Sequence, residues 1–278
     1  MIKLENTEVS GFKATIRGMR NPMNSWEKSD SVFWYDNGPV ANDILDRPVE
    51  LCCEVDFDWK DCGHELVHIG WEDHRLMMNL AKAGSVDAKY RRMINVTVDI
   101  TAPLYWWKEF DTYKVGTVAN SCSTMHKIAA KRFTLDDFSY EHLLSGKPTY
   151  KTYEEAENAG AYHIELNWDE DACSSDCDEE GLPEWYEAHF AKNILEDLIY
   201  ALNIYREKYL ETKDKRYWWQ MIQLLPSSYN QKRTVQLNYE VLAGIYPKRK
   251  NHKLDEWHIF CDWIKELPYS ELITLEEE

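Results

Sequence analysis

Two clusters of polar residues have the types and spacing from which a site for a phosphate-bearing ligand could be built. The first cluster, 101–126, combines aromatic residues with a carboxylate, a cation and hydrogen-bond donors: Glu109, Lys114, Asn120, Ser121 and Ser123. The second cluster, 225–253, ends in a basic run that contains Arg249 and His252. A carboxylate among aromatic side chains needs a partner, and cations with hydroxyl and amide donors hold phosphate groups.

The composition is that of a globular and strongly acidic protein. The chain has 278 residues, 44% of them apolar, with 12 Trp and 17 Tyr, so it can bury a full core. Its net charge of −17 repels duplex nucleic acid and anionic lipid. We therefore expect no duplex nucleic acid and no membrane among its partners, and a local cationic pocket for any anionic ligand.

The sequence shows neither a membrane span nor a secretion signal. No apolar run approaches the roughly 18 residues that cross a bilayer, and the N-terminus lacks an apolar signal region. Seven cysteines are an odd number and Cys52 is adjacent to Cys53, which argues against a disulfide framework. These features predict a cytoplasmic protein with reduced thiols.

Hydrophobic periodicity predicts strands and helices without regular βαβ alternation. Strands are predicted at 9–17, 50–57, 94–100 and 162–168. Helices are predicted at 76–83, 104–112, 123–131, 153–158, 190–212, 216–225, 236–246 and 254–267. The segment 169–184 carries eight acids and no Lys or Arg, which is typical of a solvated loop. The order predicts an α+β fold, a mixed sheet with packed helices, rather than a Rossmann domain.

Both clusters resemble the two signature regions of flavin-dependent thymidylate synthases. The family's motif, R-H-R-x-x-S-x-N-E-x-S-x-R, aligns on Asn120 and Ser123, and Ser121 takes the place of its Glu. The Arg-His-Arg triplet falls on 113–115, or one residue earlier, where Lys114 is the one basic residue. The family enters this motif from a strand, through a proline turn, into a helix that ends in Arg-Gln. The path from 94–100 to Lys108-Glu109 resembles that entry.

The second cluster resembles the family in the same order along the chain. The family's Asn at a helix start, its closing Leu-Arg pair and its nearby His resemble Asn238, Lys248-Arg249 and His252. The resemblance covers roughly 64–132 and 194–268. It implies one domain over the whole chain, with an insertion at 133–190.

The resemblance implies a reaction and a set of cofactors. A one-carbon unit would pass from methylenetetrahydrofolate to C5 of dUMP, with reduction through FAD and with NADPH as the reduced nicotinamide cofactor. It also implies a homotetramer whose active sites lie between subunits. In this family no protein nucleophile attacks the pyrimidine, so the chain needs no activated Cys or Ser for the chemistry.

Individual residues receive roles from the same resemblance. Arg249 and Ser123 would be catalytic. Contacts to the pyrimidine nucleotide would come from Glu109, Asn120, Ser121, Ser123 and Arg249. FAD would be held by Lys89, Arg92, Lys114, Asn238 and His252. The basic segment 89–92 takes the place of a family patch that helps to hold the flavin.

Several alternatives stay open at this point. A pyrimidine nucleotide hydroxymethylase would use the same site, and a nucleotide-binding or interaction protein could keep the fold without the flavin, because the Arg-His-Arg triplet is lost. Cys122 lies inside the motif, but the sequence shows no His-Asp arrangement beside it. Cys173 and Cys177 with His163 and His189 are metal-ligand types, but their spacing is loose and the loop acidic, so we assign no metal site.

Overall fold

The chain forms two compact units. The computed structural model describes residues 1–35, 41–49, 58–62, 65–167 and 185–276. The unit called here the split unit consists of 2–122 and 231–278, and the central unit consists of 123–230 together with Met1. Both signature clusters contribute to the split unit.

The strands are short except for three in the split unit. Their bounds are β1 (Lys3–Ser10), β2 (Val32–Tyr35), β3 (Ala41–Asn42), β4 (Pro48–Val49), β5 (Lys60–Asp61), β6 (Glu65–His68), β7 (Asn95–Pro103), β8 (Val118–Ser121), β9 (Thr149–Tyr150), β10 (His163–Asn167), β11 (Trp185–His189) and β12 (Asn230–Asn238). They form three sheets, with the orders β1-β7-β12-β8, β4-β3-β2-β6-β5 and β10-β11-β9.

Ten α-helices, singly or in succession, alternate with groups of these strands along the described residues. Their bounds are α1 (Phe12–Arg20), α2 (Trp71–Ala83), α3 (Leu104–Phe110), α4 (Thr124–Lys127), α5 (Tyr153–Asn158), α6 (Ala191–Thr212), α7 (Lys215–Leu224), α8 (Tyr239–Arg249), α9 (Asp255–Lys265) and α10 (Glu271–Thr274). A 3-10 helix at Ala88–Met93 leads into β7. Within the described parts of the chain, no helix has the length and apolar content of a membrane span.

The core of the split unit forms around β7. Alternate β7 side chains, including Val96, Val98 and Ile100, are fully buried, as the period of two along a strand requires. They belong to one large apolar cluster that also contains the aromatic residues of α3 and α9. Tyr239, directly after β12, donates a backbone hydrogen bond to Ile94, directly before β7, at 3.2 Å. The end of β12 therefore lies beside the start of β7.

One carboxylate, that of Asp99 on β7, joins the strands β1, β7 and β12. Thr234 Oγ1 donates to Asp99 Oδ1 at 2.6 Å, and Asn6 Nδ2 donates to Oδ2 at 3.0 Å. Lys232 Nζ lies 3.2 Å from Oδ2. These hydrogen bonds, that of Thr234 first, lower the pKa of Asp99 to about 2. A charged Asp99 thus connects three neighbouring strands of the sheet that carries both signature clusters.

Replacing Asp99 with Asn should make the free energy of unfolding less sensitive to acid. A carboxyl whose pKa is depressed by folding stabilises the protein above its unfolded pKa of about 3.9, and that stability is lost as the pH falls toward 2. We expect the free energy of unfolding to fall less between about pH 4 and 2 in Asp99→Asn than in wild type, as measured by urea denaturation. Glu8→Gln, at an exposed position of β1, should show the same fall in the free energy of unfolding as wild type over this pH range. If the free energy of unfolding falls equally with pH in Asp99→Asn and wild type, charged Asp99 does not stabilise the sheet in this way.

The central unit has a helical core and a small separate sheet. α6 and α7 pack with Phe133 and Phe138 in one apolar cluster. Asn203 of α6 holds the backbone at Phe133 in place. Its side-chain oxygen accepts a hydrogen bond from Phe133 N and its side-chain nitrogen donates one to Phe133 O, both at 2.9 Å. The sheet β10-β11-β9 has its own core, in which the buried apolar residues are Ala156, Ala188 and Phe190.

The α+β class predicted from the sequence is confirmed, with differences in detail. The strand pairings described for β1 with β7, β8 with β12 and β10 with β11 are antiparallel, where a mixed sheet was expected. The helix predicted at 153–158 has those bounds. α2 ends at Ala83, directly before Gly84, as expected, but it begins at Trp71 rather than at residue 76. The predicted strand at 50–57 and the acidic loop at 169–184 lie outside the described residues. The insertion at 133–190 stays a prediction.

Two segments have a different structure from the one their pattern predicts. The segment 9–17, expected as a strand, is the end of β1 followed by α1, because Phe12, Thr15 and Ile16 share one buried helix face. Gly11 allows the change, since its φ of 99° is in the left-handed region. The helix expected at 236–246 begins at Tyr239, because β12 continues to Asn238.

Candidate functional site

Helix α3 buries three aromatic side chains and directs one carboxylate to a partner. Trp106, Trp107 and Phe110 are at most 1% exposed, as expected for core aromatics. Glu109 lies between them in sequence, and its side chain is 35% exposed. The helix starts directly after Pro103, whose fixed φ suits a helix entry. The fold therefore positions Glu109 at the edge of the aromatic core.

Arg249, the last residue of α8, is the partner of Glu109. Its Nη1 donates to Glu109 Oε2 at 2.6 Å, and its Nε donates to the hydroxyl of Tyr113 at 2.9 Å. The guanidinium carbon lies 4.4 Å from the centre of the Trp257 ring. Only 16% of the Arg249 side chain is exposed. The guanidinium is thus held by a charge, a hydroxyl and an aromatic face, which fixes its orientation.

Two further side chains contact the same carboxylate oxygen. Trp257 Nε1 donates to Glu109 Oε2 at 2.9 Å, and His252 Nε2 lies 3.5 Å from that oxygen. Leu254 N donates to His252 Nδ1 at 3.2 Å, which leaves Nε2 as the ring nitrogen that faces Glu109. We call Glu109, Tyr113, Arg249, His252 and Trp257 the Arg249 cluster.

The Arg249 cluster has unused hydrogen-bonding capacity. A guanidinium has five N–H groups, and the side-chain hydrogen bonds described for Arg249 use Nε and Nη1. Its remaining N–H groups, in a rigid planar fork, suit the carbonyl oxygens of a planar heterocycle or an anion that forms on it. The cluster can therefore bind and orient a ligand that accepts hydrogen bonds.

A cavity of about 340 Å³ shares Tyr113 with the Arg249 cluster. Its other lining residues are Phe110, Asp111, Lys114, Thr117 and Ala119. Lys114 supplies a cation, and Thr117 Oγ1 is buried without a hydrogen-bond partner among the described residues. A buried hydroxyl without a partner is costly. A phosphate or ribose oxygen would relieve that cost.

A second, larger cavity of about 740 Å³ lies between α1, α2 and the segment 86–93. Its charged lining residues include Lys28, Lys89, Asp87 and the ion pair Glu72–Arg75, and Met19, Met23 and Met93 are among the apolar ones. Arg20 also lines it, but its Nε donates to the buried Asp73 at 2.6 Å. Arg92 is exposed and does not line this cavity. The basic segment 89–92 therefore brings Lys89, but not Arg92, to this cavity.

The remaining predicted site residues have other surroundings. Asn120 and Ser121 lie on the exposed strand β8, where they pair with Thr234 and Arg233 of β12 rather than forming a loop before a helix. Ser123 belongs to the central unit and caps the four-residue helix α4, with its hydroxyl 2.7 Å from His126 Nδ1.

Asn238, predicted to hold a cofactor, has a structural role as the cap of α8. Its Oδ1 accepts a hydrogen bond from Val241 N at 3.0 Å. This cap fixes the start of the helix whose last residue is Arg249. Of the predicted site residues, the structure therefore brings Glu109, Arg249 and His252 into one cluster.

Comparison with solved structures gives the fold. The chain matches the flavin-dependent thymidylate synthase ThyX from Helicobacter pylori, crystallised with FAD and dUMP, at a TM-score of 0.55 and 12% identity, over 99% of this chain and 98% of that one. A second structure of that enzyme, also complexed with FAD and dUMP, matches at a TM-score of 0.53 and 12% identity, over 97% and 98%. The chain has the fold of flavin-dependent thymidylate synthases. No protein-family profile and no curated protein matches it in sequence.

Three residues of this flavin-dependent thymidylate synthase fold were not predicted as site residues. Tyr113 and Trp257 complete the Arg249 cluster. Arg91 is 5% exposed, and its Nε and Nη2 have no hydrogen-bond partner among the described residues. The nearest described carboxylate is that of Glu240, 3.8 Å away. No sequence signal separates Arg91 from its exposed neighbour Arg92.

The Glu109–Arg249 pair should show strong energetic coupling. A hydrogen-bonded pair with one side chain largely buried is worth about 1.5–3 kcal/mol. We expect a coupling of that size in a double-mutant cycle of Glu109→Gln and Arg249→Met, measured from the free energy of unfolding in urea. The exposed pair Glu72–Arg75 of α2 is the matched control and should couple by less than about 1 kcal/mol. Similar coupling in both pairs would contradict the fixed geometry of Arg249.

Proposed function

We propose that this protein acts on a pyrimidine deoxynucleotide and transfers a one-carbon unit from methylenetetrahydrofolate to C5 of dUMP, with reduction through FAD and NADPH. The observation that carries the proposal is the Arg249 cluster, in which Glu109, Tyr113 and Trp257 orient one guanidinium, and Tyr113 also lines a cavity of about 340 Å³. Full-length similarity in fold to an enzyme crystallised with FAD and dUMP supports the same ligands.

The Arg249 cluster suits the pyrimidine ring. The free N–H groups of Arg249 would donate to a ring carbonyl oxygen and stabilise negative charge that develops on the ring during reaction at C5. Glu109 keeps the guanidinium in place, and the Trp257 ring limits the approach of water from one side. The cavity beside Tyr113 would take the phosphate, with Lys114 as the cation and Thr117 as a donor.

The larger cavity suits the diphosphate of FAD. Its volume of about 740 Å³ lies within the range of cofactor pockets. Lys28 and Lys89 supply two cations for two phosphates, and the methionines provide an adaptable apolar wall. Bound FAD would supply the electrons for reduction of the transferred carbon. Assembly into a tetramer with shared sites belongs to this proposal as well.

Binding of dUMP should depend on Arg249. Arg249→Ala removes a charged donor, so we expect affinity for dUMP to fall about 10- to 150-fold, which is about 1.5–3 kcal/mol, by isothermal titration calorimetry. Thr117→Val removes one neutral donor from the cavity beside Tyr113 and should cost about 0.5–1.5 kcal/mol. Lys253→Ala, at an exposed position near Arg249 in sequence, is the control and should bind like wild type.

The outcome for wild type separates the alternatives. Binding of dUMP together with release of tritium from [5-³H]dUMP, when methylenetetrahydrofolate, FAD and NADPH are present, would establish reaction at C5. Identification of the product would then distinguish thymidylate from a hydroxymethylated nucleotide. If wild type binds no pyrimidine monophosphate at millimolar concentration, the enzyme proposal fails, and an interaction protein with this fold takes its place.

Retention of FAD should depend on the cations of the larger cavity. Lys28→Ala and Lys89→Ala should each weaken FAD binding about 10-fold or more, because each removes a charge-assisted contact to the diphosphate. Arg92→Ala is a matched control, since Arg92 is exposed in the same segment and does not line the cavity. Titration of FAD into each variant, followed by flavin fluorescence, measures these affinities. Loss of FAD in Arg92→Ala alone would place the cofactor elsewhere.

A further inference from the structure

Strands β10 and β11 of the central unit place four metal-ligand side chains on one face of their antiparallel pair. His163 is opposite His189, and Glu165 is opposite Glu187. Residues two apart along a strand point to the same face of a sheet. The histidine pair and the glutamate pair therefore lie side by side on that face.

The distances between three of these side chains, Glu165, Glu187 and His189, are those of ligands around a single ion. His189 Nε2 lies 3.2 Å from Glu187 Oε1 and 3.3 Å from Glu165 Oε1. His163 Nε2 lies 3.6 Å from the same oxygen of Glu165. Bonds of about 2.0–2.1 Å in a tetrahedral arrangement separate neighbouring ligand atoms by about 3.3 Å. The ligand atoms of Glu165, Glu187 and His189 all lie within 4.8 Å of one another. His163 is outside this group, so its imidazole would have to rotate toward the ion to become the fourth ligand.

The environment of His189 points independently to a ligand. The residue is 8% exposed and its side chain 10%, and its Nε2 is buried and faces both carboxylates. That nitrogen makes no hydrogen bond with any described residue, because the contacts to the carboxylates lack hydrogen-bond geometry. A buried nitrogen without a partner is costly. A cation between Nε2 and the carboxylate oxygens would satisfy all three groups.

Existing cations do not replace such an ion. Lys147 Nζ lies 3.3 Å from Glu187 Oε1, but its side chain is 52% exposed, so this is a surface ion pair of the weak kind. One lysine cannot neutralise both glutamates.

We propose that His163, Glu165, Glu187 and His189 bind one divalent transition-metal ion of the zinc class. Two imidazoles and two carboxylates are a donor set that suits zinc and its neighbours in the first transition row. The ion ties β10 to β11 beside a sheet whose buried apolar core is small. In such a sheet metal binding adds directly to folding stability. This assignment replaces the sequence expectation of no metal site.

The test measures metal binding by the full-length protein after chelator treatment and dialysis. We expect one Zn²⁺ per chain by inductively coupled plasma mass spectrometry, and visible absorption bands of tetrahedral Co²⁺ on cobalt titration. Added zinc should raise the melting temperature, and chelator should lower it again. Glu187→Gln and His189→Ala should each weaken zinc binding by about 100-fold or more, since each removes a ligand.

Control variants separate the four-ligand site from other sources of binding. His142→Ala and Glu157→Gln are exposed positions of the same unit and should keep wild-type stoichiometry. The pair Cys173→Ser and Cys177→Ser, outside the described residues, should also keep it. Should His189→Ala fail to fold, Glu165→Gln, with a side chain 52% exposed, provides the second test and should weaken binding similarly.

Three results would overturn the proposal. The first is absence of stoichiometric zinc or cobalt binding at micromolar concentration. The second is undiminished binding in Glu165→Gln and Glu187→Gln. The third is loss of binding in the double cysteine variant, because the ion would then be held by the thiolates rather than by this face of the sheet.

Discussion

The carboxylate of Glu109 is the group on which the candidate site depends. One of its oxygens accepts hydrogen bonds from Arg249 and Trp257 and lies 3.5 Å from His252. These partners come from the end of α8, the loop that follows it and α9, while Glu109 itself is on α3. Without this carboxylate a largely buried guanidinium would lose its counter-charge. An uncompensated buried charge strongly destabilises the folded protein.

The sheet explains how two distant parts of the sequence meet at that carboxylate. Strands β7 and β12 are neighbours, and each continues into a helix, β7 into α3 and β12 into α8. Because the end of β12 lies beside the start of β7, α8 begins at that end of the sheet. Its 11 residues extend about 16 Å. That length brings Arg249 to Glu109, which is 140 residues away in sequence.

Much of the fold could be predicted from sequence, because its long elements have clear periodicity. The alternation in β7 and the aromatic helix α3 were found close to their true bounds. The segment after Gly11 was mistaken for a strand, since its apolar residues fit both periods and only the buried face distinguishes them. β12 was not predicted because residues 230–234 are polar and show no hydrophobic alternation. Its buried positions begin only at Val235.

The site could be predicted only in part. Order and spacing of the two clusters led to Glu109, Arg249 and His252, which meet in the structure. The contribution of Tyr113 comes from three-dimensional packing, and no local pattern marks it. Asn238 was assigned to a cofactor from its resemblance to the family's Asn at a helix start. In the structure its side chain caps the start of α8, and the cofactor role stays a prediction. Residue type alone cannot separate these roles, since capping and ligand binding use the same donors and acceptors.

A crystal structure of the protein with dUMP tests the central claim most directly. The account predicts the pyrimidine ring against the guanidinium of Arg249, with Arg249 still held by Glu109 and Tyr113, and the phosphate in the cavity lined by Lys114 and Thr117. Density for dUMP at a different part of the molecule, with no nucleotide contact to Arg249, would contradict the account.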